Sequence, residues 1–285
     1  MVKIVRKKVL NPSVTLLEVE APLIAKKAQP GQFIILRVDE QGERIPLTIA
    51  DFDRKKGTVT IIFQKVGLTT ELLDGLEEGG YIRDFVGPLG LPTELPEGAK
   101  RVCVVGGGVG CAIAYPQAKG LHAAGLSVDV IAGFRSKDIV ILEDEFKAAC
   151  DHLYITTDDG SYCEKGFVTD KLKSLIEAGN QYDVVIAIGP IIMMKMVAGV
   201  TKGYGIKTLV SLNPIMIDGT GMCGGCRVSV GGKMKFACVD GPDFDGHEVD
   251  FDELMSRNAV YRPEEAEQKE RHTCRMEQLA KSMIQ

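Results

Sequence analysis

The residues best suited to chemistry lie in one glycine-rich stretch, Asp218-Gly-Thr-Gly-Met-Cys-Gly-Gly-Cys-Arg, closed by Cys238 within Lys235-Phe-Ala-Cys-Val-Asp-Gly. The order Asp218, four residues, Cys223, two residues, Cys226, eleven residues, Cys238 sets two thiols close together and a third far off. That asymmetric spacing is the ligand pattern of iron–sulfur and zinc centres. Thiolates that converge on a metal need a backbone that folds back within a few residues. Glycine at 219, 221, 224, 225, 231 and 232 permits the positive φ values of such a wrap and lets amides approach the sulfurs. No fourth cysteine lies nearby, so Asp218, standing where a leading cysteine would, is the candidate fourth ligand. A structural zinc ribbon shows two C-x-x-C knuckles, and only one is present. The plant-type [2Fe–2S] run, C-x4-C-x2-C with a distant last cysteine, becomes this sequence when aspartate replaces the first ligand. A [2Fe–2S] cluster on Asp218, Cys223, Cys226 and Cys238 is therefore expected, with zinc or a hairpin of inert cysteines as the alternatives.

Such a loop needs a scaffold, and 285 residues with 45% hydrophobic content suffice for two medium domains with their own cores. The net charge of −5 and the lack of a basic face exclude nucleic acid as the partner. The apolar run Ile186–Val200 is broken by Gly189, Pro190 and Lys195, so no segment is expected to span a membrane. The first residues alternate apolar and basic side chains without a signal-peptide core. Eight cysteines without such a signal point to a reducing compartment, the cytoplasm, and to metal ligation in place of disulfides.

Residues 1–97 read as short β-rich segments, Val14–Glu20, Gln32–Val38 and Gly57–Phe63, divided by turn signals at Pro30-Gly31, Glu40-Gln-Gly42 and Arg54-Lys-Lys-Gly57. This spacing predicts a small antiparallel β-barrel with one short helix over 69–76. Two pieces of it could contact a cofactor. Arg44-Ile-Pro46-Leu47-Thr48 is a proline-stiffened strand edge with a cation and a hydroxyl. Gly67-Leu-Thr69-Thr70 is a glycine turn entering a helix, where free amides and hydroxyls suit a pyrophosphate. A solvated edge strand and an ordinary threonine N-cap are the plainer readings of the same residues. Phe63 and Gln64, just before this turn, belong to the expected site.

A proline- and glycine-rich link over 85–98 precedes the second region, residues 98–212. There the apolar strand Arg101–Val105 enters Gly106-Gly107-Gly108-Val-Gly110 and a helical Cys111–Ala124, the geometry that sets a dinucleotide pyrophosphate on a helix N-terminus. Strands and helices then alternate through Ser127–Gly133, Ile141–Cys150, Leu153–Thr157, Phe167–Gly179, Val184–Gly189, Ile191–Val200 and Thr208–Leu212. The pattern predicts a doubly wound parallel α/β sheet with its ligand at the carboxyl ends of the strands, where Arg135, Asp158, Gly189 and Pro190 also fall. Arg135 and Lys137 suit the 2′-phosphate of NADP, whereas Asp158 and Asp159 would repel it, so NAD and NADP both stay open. Residues 213–250 form the cluster module and 251–285 a charged helical tail. Cys103 and Cys111 read as packing residues, and His247, His272 and Cys274 have no ligand spacing toward the loop.

Over nearly the whole chain these motifs resemble the ferredoxin–NADP reductase-like group that contains the dihydroorotate dehydrogenase electron-transfer subunits and the small subunits of NADH-dependent reduced ferredoxin:NADP oxidoreductases. The group's flavin motif, Arg-Pro-Leu/Ile-Ser/Thr, maps onto Ile45-Pro46-Leu47-Thr48, with Arg44 one place early. Its flavin pyrophosphate loop maps onto Gly67, Thr69 and Thr70, and its nicotinamide-dinucleotide loop onto Gly106–Gly110 with Asp158 and Gly189-Pro190. The resemblance implies FAD in the cleft between barrel and sheet and NAD(H) at the glycine loop. Hydride exchange would then be the flavin's own chemistry, so no side chain is assigned a catalytic role. The dihydroorotate-type subunits carry four cysteines in the terminal loop; aspartate plus three cysteines is similar to the ferredoxin:NADP oxidoreductase small subunits. What this implies is a subunit that passes electrons between NAD(H) and a larger, glutamate-synthase-like flavin/iron–sulfur partner coupled to ferredoxin and NADP(H), with electron bifurcation. A dihydroorotate dehydrogenase or sulfide/polysulfide reductase subunit, and a colourless zinc-bearing interaction module, are the competing readings.

Overall fold

The computed structural model describes residues 1–271; His272, Cys274 and the end of the expected helical tail lie outside the described residues. Residues 2–89 build one antiparallel sheet from β1 (Val2–Asn11), β2 (Val14–Glu20), β3 (Phe33–Arg37), β4 (Ile45–Asp53), β5 (Thr58–Gln64), β6 (Tyr81–Ile82) and β7 (Asp84–Leu89). Their order is β6-β1-β2-β5-β4-β3-β7. The edge strands β6 and β7 are joined by the single residue Arg83, so the sheet has to curl until its edges meet, giving a nearly closed barrel. Helices α1 (Pro22–Lys27) and α2 (Leu68–Asp74) accompany it. Proline at the start of α1 suits a position whose N–H has no helical partner. Ile4, Leu17, Ile34, Leu36, Ile61 and Phe63 fill the interior, all 0–1% exposed.

The second sheet alternates with helices: β8 (Arg101–Gly107), α3 (Cys111–Ala123), β9 (Ser127–Phe134), α4 (Glu143–Lys147), β10 (His152–Thr157), β11 (Glu164–Lys165), α5 (Val168–Glu177), β12 (Val184–Ile188), α6 (Ile191–Gly203) and β13 (Lys207–Ser211). After it come the hairpin β14 (Arg227–Val230) and β15 (Lys233–Phe236), α7 (Ala237–Asp240), β16 (Asp243–Asp245) and α8 (Phe251–Asn258). The order β11-β10-β9-β8-β12-β13-β16 is parallel up to β13, and β16 adds an antiparallel edge. Strand order reverses on either side of β8, which makes the β8/β12 boundary a topological switch point. The hairpin turn is Gly231-Gly232, with φ of 58° and 71°, the left-handed pair that a two-residue turn between twisted strands requires.

Several elements differ from the sequence expectation. The helix expected over 141–150 is reduced to α4, because Leu142 turns left-handed (φ 58°) to bury both Ile141 and itself. The alternating N-terminus is a full barrel strand, β1. Cys103 and Cys111 are fully buried, with burial pushing both thiols above the ordinary range, and the His247 ring is engaged by the Thr201 hydroxyl at 3.0 Å. Asp129, 1% exposed at the amino ends of the strands, binds Tyr182 Oη at 2.7 Å, His152 Nδ1 at 2.9 Å and Arg101 Nη2 at 3.2 Å. A buried carboxylate with this many partners fastens the end of the sheet away from the ligand side.

Barrel and sheet share a joint. Leu91 N–H donates to the Gly241 carbonyl at 2.7 Å and the Thr93 hydroxyl to Asp243 at 2.6 Å, while Leu212 N–H, next to β13, fixes Pro242 from the sheet side at 2.9 Å. Asp243 Oδ1 and Gln117 Oε1 are buried there without partners. Burial raises the Asp243 carboxyl above its ordinary 3.8, against the opposing hydrogen bonds from Thr93, Ser211 and Gln117. A raised folded-state value means that the native state holds the proton more tightly. The stabilisation is complete below the unfolded-state value and is lost as pH rises through the folded one. Asp243→Asn removes the charge and keeps the shape. Urea midpoints should show the variant more stable than the parent at about pH 8, with the advantage shrinking toward about pH 4. An advantage independent of pH would rule out the carboxylate as its source.

Candidate functional site

The carboxyl ends of β8, β9, β10, β12 and β13 surround a cavity of about 710 Å³ that reaches Ser13, Val14 and Gln64 of the barrel. It is the size and position of a dinucleotide site in a doubly wound fold. Gly107, Gly108 and Gly110 line it after β8, Arg135 after β9, Asp158 after β10, and Gly189 and Pro190 after β12. A single 3₁₀ turn, Gly108–Gly110, leads into α3, whose first turn carries no acidic residue to compete with a phosphate. A Cβ on Gly110 would lie 2.5 Å from the Ile188 carbonyl and 2.7 Å from Gly189 Cα, so backbone meets backbone at the switch point. Gly106 stands off the cavity wall, and its missing Cβ admits Cys111 Sγ, 2.8 Å from where that atom would be.

Four charged residues were candidates at this rim, and the structure separates them. Lys137 Nζ lies 5.3 Å over the Tyr162 ring, and Asp159 accepts from the Ser161 amide at 2.9 Å; contacts to Ser161 hold its carboxyl below the ordinary range. Arg135 and Asp158 remain as the charged residues on the cavity wall. Main-chain bonds from Asp158 N–H to Phe134 O (3.0 Å) and Asp159 N–H to Arg135 O (3.2 Å) join their two loops. Phe167, Ile192, Met193, Met196, Ser211 and Asn213 also line the cavity and were missed in the sequence. The signal for the last two was available, since Ser211 ends β13 and Asn213 lies just beyond it.

On the barrel, Phe33 pairs with Thr48 and Ile35 with Pro46. Ile34 and Leu36 point into the barrel core, while Phe33 and Ile35 join the core shared with the second sheet. The pleat therefore puts Pro46 and Thr48 on the face turned toward that sheet and Leu47 on the inner face. Phe63 is 1% exposed within the barrel core, whereas Gln64 reaches the cavity. At the start of α2 the Thr70 hydroxyl accepts from Gly67 N–H at 3.1 Å and donates to Gly67 O at 2.9 Å, serving its own turn. Thr69 lies 3.4 Å from Glu43 Oε2.

The cysteine loop packs on this same barrel face. Gly219 (φ 81°) sits where a Cβ would be 2.6 Å from Ile35 Cδ1 and 2.9 Å from Leu89 Cδ1. Cys226 and Cys238 are 2% exposed and Cys223 is exposed. Main-chain amides face the sulfurs: Gly225 N–H donates to Cys223 Sγ at 3.4 Å and Cys238 N–H to Cys226 Sγ at 3.5 Å. The Gly225 amide, with that of Asp218, holds the Cys223 thiol below its ordinary value. Burial, followed by the Cys226 thiol, pushes Cys238 up to about 12. Asp218 Oδ2 accepts from the Thr220 amide and hydroxyl and from the Met222 amide, and the Thr220 hydroxyl does most to keep it below the usual carboxylate range. Among the described residues no three Cys, His, Asp or Glu side chains converge on one point as a single-ion site requires. A [2Fe–2S] group asks instead for two ligand pairs on two irons. Contact of Cys226 with Cys238 and the charge coupling of Asp218 with Cys223 supply such pairs, with amides aimed at sulfur, so the residues fit this group.

A nearly closed antiparallel barrel beside a doubly wound sheet places the chain in the reductase fold class. It superposes on phthalate dioxygenase reductase with a TM-score of 0.59 at 17% identity, over 80% of this chain and 85% of that one, a likeness of fold alone. Residues 213–250 match the iron–sulfur cluster binding domain of dihydroorotate dehydrogenase B. The chain is 49% identical over 247 residues to the Thermotoga maritima homologue of the dihydroorotate dehydrogenase B (NAD(+)) electron transfer subunit, covering 87% of this chain and 86% of that protein. It is 46% identical, with a TM-score of 0.90, to a chain of the NADH-dependent reduced ferredoxin-NADP oxidoreductase, a structure described for flavin-based electron bifurcation; the match covers 96% of this chain and 98% of that one. The chain belongs to the family of dihydroorotate dehydrogenase B electron-transfer subunits and their homologues.

Gly110→Ala tests the switch-point geometry, because the new methyl meets main chain that no rotamer change can move. A stability loss of about 1–3 kcal/mol and NADH binding at least roughly tenfold weaker are expected from thermal melts and fluorescence titration. Unchanged binding would show that this close approach does not shape the site.

Proposed function

We infer that the chain is an electron-transfer subunit that binds FAD, a [2Fe–2S] cluster and NAD(H), and passes electrons to or from a larger flavin/iron–sulfur subunit. The observation that carries this is the joint placement of three features. The core of the nucleotide sheet, the outward face of β4 and the amide-lined cysteine loop all meet across β3, and the dinucleotide cavity opens at the carboxyl end of that same sheet. We assign residues 1–97 to the flavin barrel, 98–212 to the nucleotide domain and 213–250 to the cluster module. Pro46, Thr48, Gly67 and Thr69 would hold FAD; Gly107, Gly108, Gly110, Arg135, Asp158, Gly189 and Pro190 would hold the dinucleotide. Asp218 and Cys223, Cys226 and Cys238 would ligate the cluster. Bound there, FAD would supply exchange of electron pairs with the nicotinamide and of single electrons with the cluster. The protein's part is to position the two cofactors, exclude water and tune them.

Asp218 in place of a fourth cysteine favours a ferredoxin- and NADP(H)-coupled complex over a dihydroorotate dehydrogenase complex. Met222 (87% exposed), Ile217 and Val239 form an apolar collar beside the exposed Cys223, the surface on which we place the partner. No helix among the described residues is long and apolar enough to cross a membrane, and we place the protein in the cytoplasm. Arg135 and Asp158 together decide the nucleotide. We expect NADH over NADPH, since a 2′-phosphate would have to sit against the Asp158 carboxylate.

Anaerobic purification with iron, sulfide and zinc analysis should find two irons and two sulfides per chain, as a [2Fe–2S] cluster requires, plus a flavin bleached by NADH. Zinc without flavin would overturn the reading. Asp218→Cys should keep a cluster with an altered reduction potential, and an identical potential would remove Asp218 from the ligand set. Asp158→Asn should narrow the preference for NADH over NADPH by roughly tenfold, the scale of one charge contact at a solvated rim. An unaltered ratio would assign the discrimination elsewhere.

A further inference from the structure

We propose that Arg227, braced by Arg257, polarises the peptide group between Gly224 and Gly225 toward the Cys223 sulfur and so raises the reduction potential of the centre held in the cysteine loop. The inference rests on the reading of that loop as a cluster site and concerns two arginines outside the ligand set. Both residues between Cys223 and Cys226 are glycine, so the peptide groups of the turn are open to side chains from outside it. Gly225 N–H donates to Cys223 Sγ at 3.4 Å. The carbonyl of that same peptide group, Gly224 O, accepts from Arg227 Nη1 at 3.0 Å and from the Arg227 amide at 3.4 Å. The next carbonyl along, Gly225 O, accepts from Arg257 Nη2 at 3.4 Å. The guanidinium groups therefore sit on the carbonyl side of a turn whose Gly225 amide faces sulfur.

The fold places both arginines. Arg227 opens β14, where it pairs with Phe236 across the hairpin. Val228, the next residue, is buried in the core that holds Cys226 and Cys238, so alternation along the strand turns Arg227 to the outer face. Arg257 stands in the last turn of α8, a helix pinned to its surroundings. Phe251 and Leu254 bury its inner side in that same core. Asp250 caps the helix, accepting from Glu253 N–H at 2.9 Å, while its own N–H donates to Ser229 O of β14 at 2.9 Å. Asp252 pairs with Lys195 of α6 at 2.7 Å. One residue beyond Arg257, Asn258 Nδ2 donates at 3.0 Å to the carbonyl of Asn213, which lines the dinucleotide cavity.

A cation that donates to a carbonyl draws electron density out of the peptide group and strengthens the hydrogen bond given by its N–H on the other side. A one-electron reduction adds negative charge to the centre, which a stronger donor to sulfur favours. Losing the guanidinium moves the potential to more negative values. Arg227 is exposed, so salt screens its charge but not the hydrogen bond itself.

The test is potentiometric titration of the full chain, with the cluster followed by electron paramagnetic resonance and the flavin by absorbance. The series is Arg227→Lys, Arg227→Gln, Arg227→Met and Arg257→Met, with Lys207→Gln at the amino end of β13 as a matched loss of charge. Iron and sulfide content is measured for each protein. Arg227→Met should lower the cluster midpoint most, Arg227→Gln, which keeps a neutral donor, should lower it less, and Arg227→Lys least. Arg257→Met should lower it less than Arg227→Met, and Lys207→Gln should leave it in place. The gap between Arg227→Gln and Arg227→Met compares two neutral side chains and should survive high ionic strength. Equal cluster midpoints in the parent and the Arg227 variants, an equal shift in Lys207→Gln, or a shift in the flavin midpoint alone would overturn the proposal while leaving the cluster reading intact. A parent chain without iron and sulfide would defeat both. If Arg227→Met loses the centre, Arg227→Gln carries the test: a midpoint below the parent upholds the proposal and the parent midpoint overturns it. Loss of the centre in all three Arg227 variants would assign the residue to assembly and overturn it as a tuning group.

Discussion

The strand Phe33–Arg37 is buried on both sides, and that double burial decides where every other functional part can sit. Ile34 and Leu36 close the barrel interior, while Phe33 and Ile35 lie in a second core with Val105, Ala187, Cys226 and Cys238. An antiparallel sheet usually keeps one face for solvent, so a strand apolar on both faces marks the place where something else must pack. Here two things do, the nucleotide-binding sheet and the cysteine loop. Burying one large apolar side chain is worth about 1.5–3 kcal/mol, so two outward side chains cost a stability that only this packing repays. The barrel, the sheet and the loop are therefore held as one body by hydrophobic contact, not by the few polar bonds across the joint.

Close approach within that body is bought with missing side chains at two positions above all. Gly110 lets the chain leaving β8 pass against the end of β12, and Gly219 lets the cysteine loop lie flat on Ile35 and Leu89. At Gly110 a methyl group would force main chain apart, and at Gly219 it would meet the Ile35 and Leu89 side chains from a left-handed backbone (φ 81°), so glycine serves geometry in both places and is not a flexible spacer. The same economy shapes the chemistry. Phosphates and sulfurs would be met here by main-chain amides, fixed dipoles that need no proton transfer and little reorganisation. A protein that positions cofactors for electron transfer has little use for a general acid or base. The cavity wall accordingly carries one cation and one carboxylate, Arg135 and Asp158, which would discriminate between ligands more than act on them.

Much of this was legible in the residues. The cysteine spacing and the glycines around it define the loop, and the strand–glycine–helix run over 101–124 locates the dinucleotide end of the sheet. Both signals are local, because a metal wrap or a phosphate turn is made by consecutive backbone. What the sequence hid was non-local. Nothing in the cysteine loop's own residues says which face of the barrel it covers; that follows from the place where Gly219 lands on Ile35 and Leu89. Phe63 reads as a strand end beside a cofactor turn, yet the pleat turns it into the barrel. Lys137 and Asp159 share composition with Arg135 and Asp158, and only their partners, Tyr162 and Ser161, take them out of the cavity. The short strands β6 and β11 were invisible because two residues carry no period.

The thiols of the loop are graded from inside to outside, and the grading gives the loop a direction. Cys226 and Cys238 lie in the core behind β3, where burial disfavours the free thiolate of Cys238, while Cys223 stands at the surface with amides that favour its thiolate. One ligand pair would therefore face the barrel and the other would face solvent, beside Met222, Ile217 and Val239. Electron transfer falls steeply with distance, so a centre built half into the core and half into an exposed apolar rim can serve a donor on one side and a partner on the other. Asp218, coupled by charge to Cys223, would belong to the outer pair. A harder oxygen ligand on that outer side would tune the group that the loop would hold, on the side turned to solvent.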